Sequence, residues 1–243
     1  MTAPDLAAIL DLEETTFASW PDLAHERLDG WLLRFAAGHT KRANSVNVLH
    51  GDPRDLDTRI AAAEQRYRSR GLRPVFRLTP LAEAGLDHAL AARDYALVEP
   101  SLVKTAPMLA DVAADPEVAL SRAPDGAWFE GYVAAAKLDG AAAATLRALP
   151  VYAMLSYAGV PQGFAMAVTR RGRVGFFDVL TLPHARRRGI ARRIMASLIA
   201  WSRVEAGAVS MWIQVVEANA PARALYRDLG FATVYGYHYR VAP

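Results

Sequence analysis

The chain has 243 residues, 53% of them hydrophobic, which supplies a packed core and excludes a largely disordered segment. It contains no cysteine, which excludes disulfides, thiolate metal sites and a cysteine nucleophile and suits a reducing cytoplasm. The net charge of +3 is uneven: residues 1–160 sum to −5 and residues 161–243 to +8, with 12 arginines in that last third. An anionic partner for the C-terminal third follows from that asymmetry.

The opening stretch, MTAPDLAAILDLEETTF, is acidic and lacks a basic leader, so it does not read as a signal peptide. No apolar run reaches the length of a membrane span. A soluble, cytoplasmic protein without a membrane partner is expected. GWLLRFAAG (30–38) and ANSVNVLHG (43–51) read as a strand pair. Trp31, Arg34, Arg42 and Asn44 in this stretch are either core and cap residues or the lining of a substrate pocket. RDLDTRIAAAEQRYRSRG (54–71) predicts an amphipathic helix, PVFRLT (74–79) a strand, AGLDHALAARDYAL (84–97) a short helix and EPSLVKTAP (99–107) a strand. MLADVAADPE (108–117) has the composition of a linker.

Beyond it, VALSR (118–122) is a short strand and GAWFEGYVAAAKLDGAAAATLRAL (126–149) an Ala-rich helix broken near Asp139-Gly140. VYAMLSYAG and GFAMAVTR are two strands, with the hairpin expected at the intervening VPQ. RRGR (170–173) is a turn, and VGFFDVLTL (174–182) a strand with Asp178 alone among apolar residues, closed by Pro183. A helix follows from about Arg188 to Glu205, with Ile190, Ile194, Leu198 and Trp201 on its buried face and Gly207 past its end. SMWIQVV (210–216) is a strand. NAPARALYRDLGF (219–231) reads as an N-cap, an early proline, a short helix and a glycine stop; ATVYGYHYRV (232–241) is a final strand. Helix–strand–helix–strand over 54–105 repeats over 188–241, which predicts an internal duplication of a mixed α/β unit. The expected domains are 1–107, a linker at 108–117, and 118–243.

The chemistry concentrates at RRRGIA (186–191), where three arginines crowd a predicted helix start. Helix N-termini carry unpaired N–H groups and partial positive charge, so basic residues there are unfavourable unless an anion is bound. Such an end suits phosphate. Gly189 permits close approach of the backbone, and Arg187, Arg188 and Arg192 add charge-assisted donors. A solvated basic face or a grip on nucleic-acid backbone would account for the arginines equally well at this point. No DNA- or RNA-reading motif accompanies them, and no nucleic-acid partner is expected.

The second segment, N-x-x-A-x-x-L-Y-x-x-x-G-F, is met by Asn219, Ala222, Leu225, Tyr226, Gly230 and Phe231. With R-x-x-G-x-A at Arg186, Gly189 and Ala191, it makes residues 118–243 resemble the GNAT superfamily of acyl-CoA-dependent N-acetyltransferases. The resemblance implies a GNAT fold, here duplicated, with an N-terminal half lacking its own coenzyme site: HGDPRDLDT stands where the second half has HARRRGIAR. It implies acetyl-CoA as acyl donor, an amine acceptor and no metal. The backbone of Val179, Leu180 and Thr181 would pair with the pantetheine arm. The N–H groups of Arg187, Arg188, Gly189, Ile190, Ala191 and Arg192 would hold the pyrophosphate. Asn219 would bond the arm, and Tyr226 would protonate the departing sulfur.

The general base has several candidates. Where some members carry Glu, this chain has Gln214; Asp178 is the nearest carboxylate, with Glu217 and His238 weaker candidates and a water-mediated base equally allowed. Without a base, a non-catalytic acyl-CoA-binding regulatory module is the alternative. A homodimer is allowed for, and nothing in the residues identifies the acceptor.

Overall fold

The chain's structure is a computed structural model that describes residues 5–20, 22–36, 38, 40–52, 54–124, 126–138 and 151–243. The expected helix break at 139–140 and the rest of that helix to 149 lie outside the described residues. The chain divides into two compact units. One comprises residues 1–103 with 215–220 and 233–243, the other residues 104–214 with 221–232.

In the first unit, α1 (Leu6–Ser19) is capped by Asp5, whose carboxylate accepts the Ala8 N–H at 3.0 Å. Then come β1 (Ala24–Leu28), β2 (Trp31–Phe35), β3 (Val46–Val48), α2 (Leu56–Arg68), β4 (Val75–Leu78), α3 (Leu86–Ala91) and β5 (Ala96–Pro107). β1, β2 and β3 are antiparallel neighbours, β3 and β4 are parallel, and α2 makes the crossover between them. Beside β4 lies the last strand of the chain, β11 (Ala232–Val241), antiparallel from His238↔Leu78 to Val241↔Val75. Trp31, Phe35, Ile60, Tyr67, Phe76 and Leu90 form the centre of this unit's core.

The four residues left open between core and pocket are structural. Trp31 is fully buried and donates its indole N–H to Glu83 at 3.0 Å. Arg34 is buried, bonded to Asp22 at 2.7 Å and to backbone carbonyls, and Arg42 stacks over Trp20. Asn44 ties the loop together by accepting from the Ala36 and Gly38 N–H groups.

The second unit contains β6 (Val118–Ser121), α4 (Gly126–Ala136), β7 (Val151–Tyr157), β8 (Val160–Arg170), β9 (Arg173–Thr181), α5 (Ile190–Val204), β10 (Ser210–Val216) and α6 (Ala220–Asp228). β6 to β9 run antiparallel in sequence, and β10 joins β9 in parallel after the α5 crossover. The second unit thus resembles the first in connection order: antiparallel strands, three in the first (β1–β3) and four in the second (β6–β9), then a helix crossover to a parallel strand. The strand closing each repeat is β5 in one and β11 in the other.

Two expectations are corrected. The β7–β8 hairpin turns at Ala158-Gly159, both with positive φ (49° and 76°), and not at VPQ. Two consecutive left-handed residues give the two-residue turn whose twist matches the strands, while Pro161 is accommodated within β8. On α5, Ile190, Ile194 and Leu198 are buried as expected, but Trp201 is half-exposed and bonds Glu205 at 3.1 Å. The buried stripe continues through Ser202 instead.

Gly175 on β9 lies under the ring of Trp212 on β10, and any Cβ at that position would fall well inside van der Waals contact with the indole. Trp212 is fully buried and cannot swing out without opening the core. Gly175→Ala is therefore expected to destabilise the protein by about 2 kcal/mol or more, read as a lower urea midpoint. An unchanged midpoint would show that the indole has room to move.

Candidate functional site

The site begins with an irregularity in β9. Phe164 faces Leu180 and Met166 faces Phe177, so the single residue Ala165 opposes two, Asp178 and Val179. This is a β-bulge, and Asp178 takes the left-handed conformation that it requires, with φ 49°. Aspartate tolerates that conformation better than the apolar residues around it.

The parallel ladder between β9 and β10 runs from Arg173↔Ser210 to Phe176↔Ile213 and ends one residue before the bulge. Past that point β9 remains paired to β8 through Thr181↔Gly163. Val179, Leu180 and Thr181 are half-buried. Their main chain is thus held on one side and open to an extended ligand on the other.

From there the chain passes through a 3-10 turn at Pro183–Ala185 into the arginine loop. Arg186 is extended, Arg187 is left-handed (φ 62°) and Gly189 is left-handed again (φ 74°). Backbone that alternates in this way turns successive N–H groups toward one side and forms an anion-binding concavity. α5 starts at Ile190, later than the expected Arg188, because the two left-handed residues cannot belong to a right-handed helix. Gly189 is the N-cap, and among the described residues no side chain caps the first-turn N–H groups, which an α-helix cannot pair internally. A Cβ on Gly189 would meet no protein atom within 4 Å, so the space beside it is open.

The side chains sort into supports and free charges. Ile190 points into the core, and Ala191 is half-buried. Arg186, Arg187 and Arg188 are exposed. Arg192 pairs with Asp228 of α6 at 2.9 Å. Tyr157, which carries no motif signal, sits beneath Arg188 at 5.4 Å and Arg193 at 5.5 Å. Arg193 in turn bonds Asp115 at 2.5 and 3.0 Å and pairs with Glu117, while the Asp115 N–H donates to Ser197 at 2.9 Å. The 108–117 stretch is thereby fastened to α5.

Tyr226 is buried on α6 with its ring against Phe231. Burial, and then the negative charge of Asp178, push its phenol up to about 12. The fold therefore sets a protonated phenol within electrostatic reach of the bulge carboxylate. Gln214 stands half-buried on β10, just past the last paired residue. Asn219 is exposed, and its N–H donates to Val216 at 2.9 Å to start the turn into α6. Glu217 and His238 both line one cleft of the first unit.

Several solved acetyltransferases share this fold. A GCN5-related N-acetyltransferase from Kribbella flavida superposes with a TM-score of 0.75 at 14% identity, over 100% of this chain and 97% of that one. A tandem GNAT protein from the clavulanic acid biosynthesis pathway superposes with a TM-score of 0.61 at 16% identity, over 100% of this chain and 91% of that one. At the sequence level, a Bacillus subtilis (strain 168) protein titled an uncharacterized N-acetyltransferase, YobR, is 26% identical over 249 residues, 96% of this chain and 98% of its own length. A family profile described as probable histone acetyltransferase Rv0428c, C-terminal, matches residues 6–240. The chain is an N-acetyltransferase of the GNAT superfamily. Within the superfamily it belongs to this Rv0428c-type acetyltransferase family.

Proposed function

We propose that the protein transfers an acetyl group from acetyl-CoA to a primary amine, with residues 118–243 carrying the coenzyme site. One observation carries the reading. An open-edged β9, bulged at Asp178, leads directly into a left-handed arginine–glycine loop and an uncapped helix N-terminus. That is a continuous run of main-chain donors and acceptors for an extended arm ending in a diphosphate. The three exposed arginines and the open space at Gly189 fit the same ligand.

Acetyl-CoA supplies an acetyl thioester, whose carbonyl carbon takes the amine nitrogen while its carbon–sulfur bond breaks. Val179, Leu180 and Thr181 hold the pantetheine arm through their main chain, and their N–H groups stabilise the charge that develops on the acetyl oxygen. The loop from Arg187 to Arg192 fixes the diphosphate, and Asn219 bonds the arm at the start of α6. Tyr226 gives its proton to the departing sulfur, which leaves as the thiol. The attacking nitrogen must lose a proton before attack, since alkyl amines are charged at neutral pH, and Asp178, directly or through a water, accepts it. The second proton, lost as the amide forms, restores the Tyr226 phenol.

The first repeat does not take a coenzyme on this reading. Asp52, Asp55 and Asp57 cluster where α2 begins, and Arg54 is already bonded to Asp52 at 2.9 Å. Carboxylates at that helix end complement its dipole and repel a diphosphate.

Gly189→Val tests the coenzyme site. A β-branched residue resists φ 74° and fills the open space. The acetyl-CoA Kd, read by calorimetry, is expected to rise at least tenfold while the melting temperature falls by only a few degrees. Unchanged affinity would remove the loop from the coenzyme site.

A further inference from the structure

The arginines around the start of α5 are held in different ways. Arg192 pairs with Asp228, and Arg193 bonds Asp115 and Glu117. Arg188 is exposed and meets a ring instead: its guanidinium lies 5.4 Å from the centre of Tyr157. The difference matters for a phosphate ligand. A carboxylate holds a guanidinium by taking its N–H donors and cancelling its charge. A ring face attracts the flat group and leaves both at hand.

Tyr157 is itself fixed. It ends β7, just before the Ala158-Gly159 turn, and is half-buried. Its hydroxyl accepts from Arg193, whose guanidinium lies 5.5 Å from the ring centre. Arg193 is clasped in turn by Asp115, at 2.5 and 3.0 Å, and by Glu117. Those carboxylates offset its charge, which allows a second guanidinium over the same ring; two uncompensated cations there would repel each other. All five residues belong to the second unit. Arg188 immediately precedes Gly189, the N-cap of α5. A cation is repelled by the positive end of a helix, and the ring face offsets part of that repulsion.

We propose that Tyr157 is a positioning residue of the coenzyme site: its ring, set by Arg193, Asp115 and Glu117, presents the Arg188 guanidinium to the coenzyme's phosphates. The proposal rests on the coenzyme reading of this loop and adds to it a side chain that acts through another.

The test is a calorimetric titration of CoA into the full chain and its variants at low salt. Arg188→Ala is expected to raise the Kd about tenfold, the worth of a charge-assisted bond to phosphate. Tyr157→Leu should raise it about fivefold through loss of the ring face, and Tyr157→Phe, which keeps the ring, should recover most of that loss. With Arg188 already removed, Tyr157→Leu has nothing left to position. The double variant should therefore bind CoA as Arg188→Ala does, within about twofold. Arg188→Lys changes only an exposed side chain, so it reports even where Tyr157→Leu does not fold. It keeps the charge but not the flat face, and its Kd is expected about threefold above wild type.

A Tyr157→Leu penalty that persists in full on the Arg188→Ala background overturns the proposal, because Tyr157 would then act on the fold and not through Arg188. So does Tyr157→Phe as weak as Tyr157→Leu, or Arg188→Lys as tight as wild type. If the wild-type chain binds CoA and Arg188→Ala binds it equally well, the coenzyme reading stands and the role of Tyr157 falls. If the wild-type chain binds no CoA, the coenzyme reading fails and takes that role with it.

Discussion

Tyr226→Phe should lower kcat for acetyl transfer by about a hundredfold or more, the usual worth of a positioned proton donor, and leave the acetyl-CoA Kd within twofold. The phenylalanine keeps the edge-on contact with Phe231 and the buried position on α6, so the fold is retained. What is lost is the proton available to the leaving sulfur. Because burial and Asp178 push the phenol up to about 12, the group stays protonated throughout the working range. The sign of its pH effect follows. A pKa raised on folding stabilises the folded state fully below pH 10, the unfolded value, and that contribution is lost as pH rises toward 12. Any inflection of the rate profile below pH 10 belongs to other groups and should persist in the variant. A variant with full kcat would remove Tyr226 from the mechanism.

The second large effect concerns stability. Glu13 of α1 and Arg77 of β4 are both almost fully buried and form a two-pronged ion pair, one prong at 3.0 Å. The Tyr235 hydroxyl donates to the same carboxylate, and the guanidinium lies 3.9 Å from the centre of the Tyr237 ring. Burial by itself would pull Arg77 down, but Glu13 and the neighbouring phenols outweigh it and hold the guanidinium above its usual range. Glu13→Ala leaves that charge buried without its counter-ion, at a cost of about 3–5 kcal/mol, or roughly 10 °C in Tm for a chain of this size. Glu13→Gln, which keeps the shape and an acceptor, should fall between. A loss under about 1 kcal/mol in Glu13→Ala would mean that water enters and solvates Arg77.

That same pair explains why α1 was hidden in the sequence. Its buried face is Ile9, Leu12, Glu13, Thr15, Thr16 and Ser19, so apolar periodicity does not mark it. The polar groups are buried because partners exist for them, and those partners lie far away in sequence. β1 escaped notice for a related reason: AHERL is a charged, exposed edge strand with no alternation to read. α5 was legible because its buried stripe is apolar and its glycine punctuation is explicit, and β10 and β11 fall on the expected residues.

Asp178 was visible as a lone carboxylate, but not as the left-handed residue of a bulge. Its role in opening β9 away from β10 depends on register with β8, which one strand's composition does not encode. Nor does ATVYGYHYRV reveal that its partner is β4 of the first unit; a half-buried strand pattern states that it pairs, not with which strand. The motif residues around Gly189 and Tyr226 are marked by their spacing, whereas Tyr157, which supports Arg188 from β7, carries no sequence signal because its partner is brought to it by the fold.

The most direct measurement is a crystal structure of the full chain with CoA. Diphosphate oxygens within hydrogen-bonding distance of the main-chain nitrogens between Arg187 and Arg192, with the arm along Val179–Thr181, are the predicted result. Density for CoA at any other place, with this loop left bare at saturating ligand, would contradict the account.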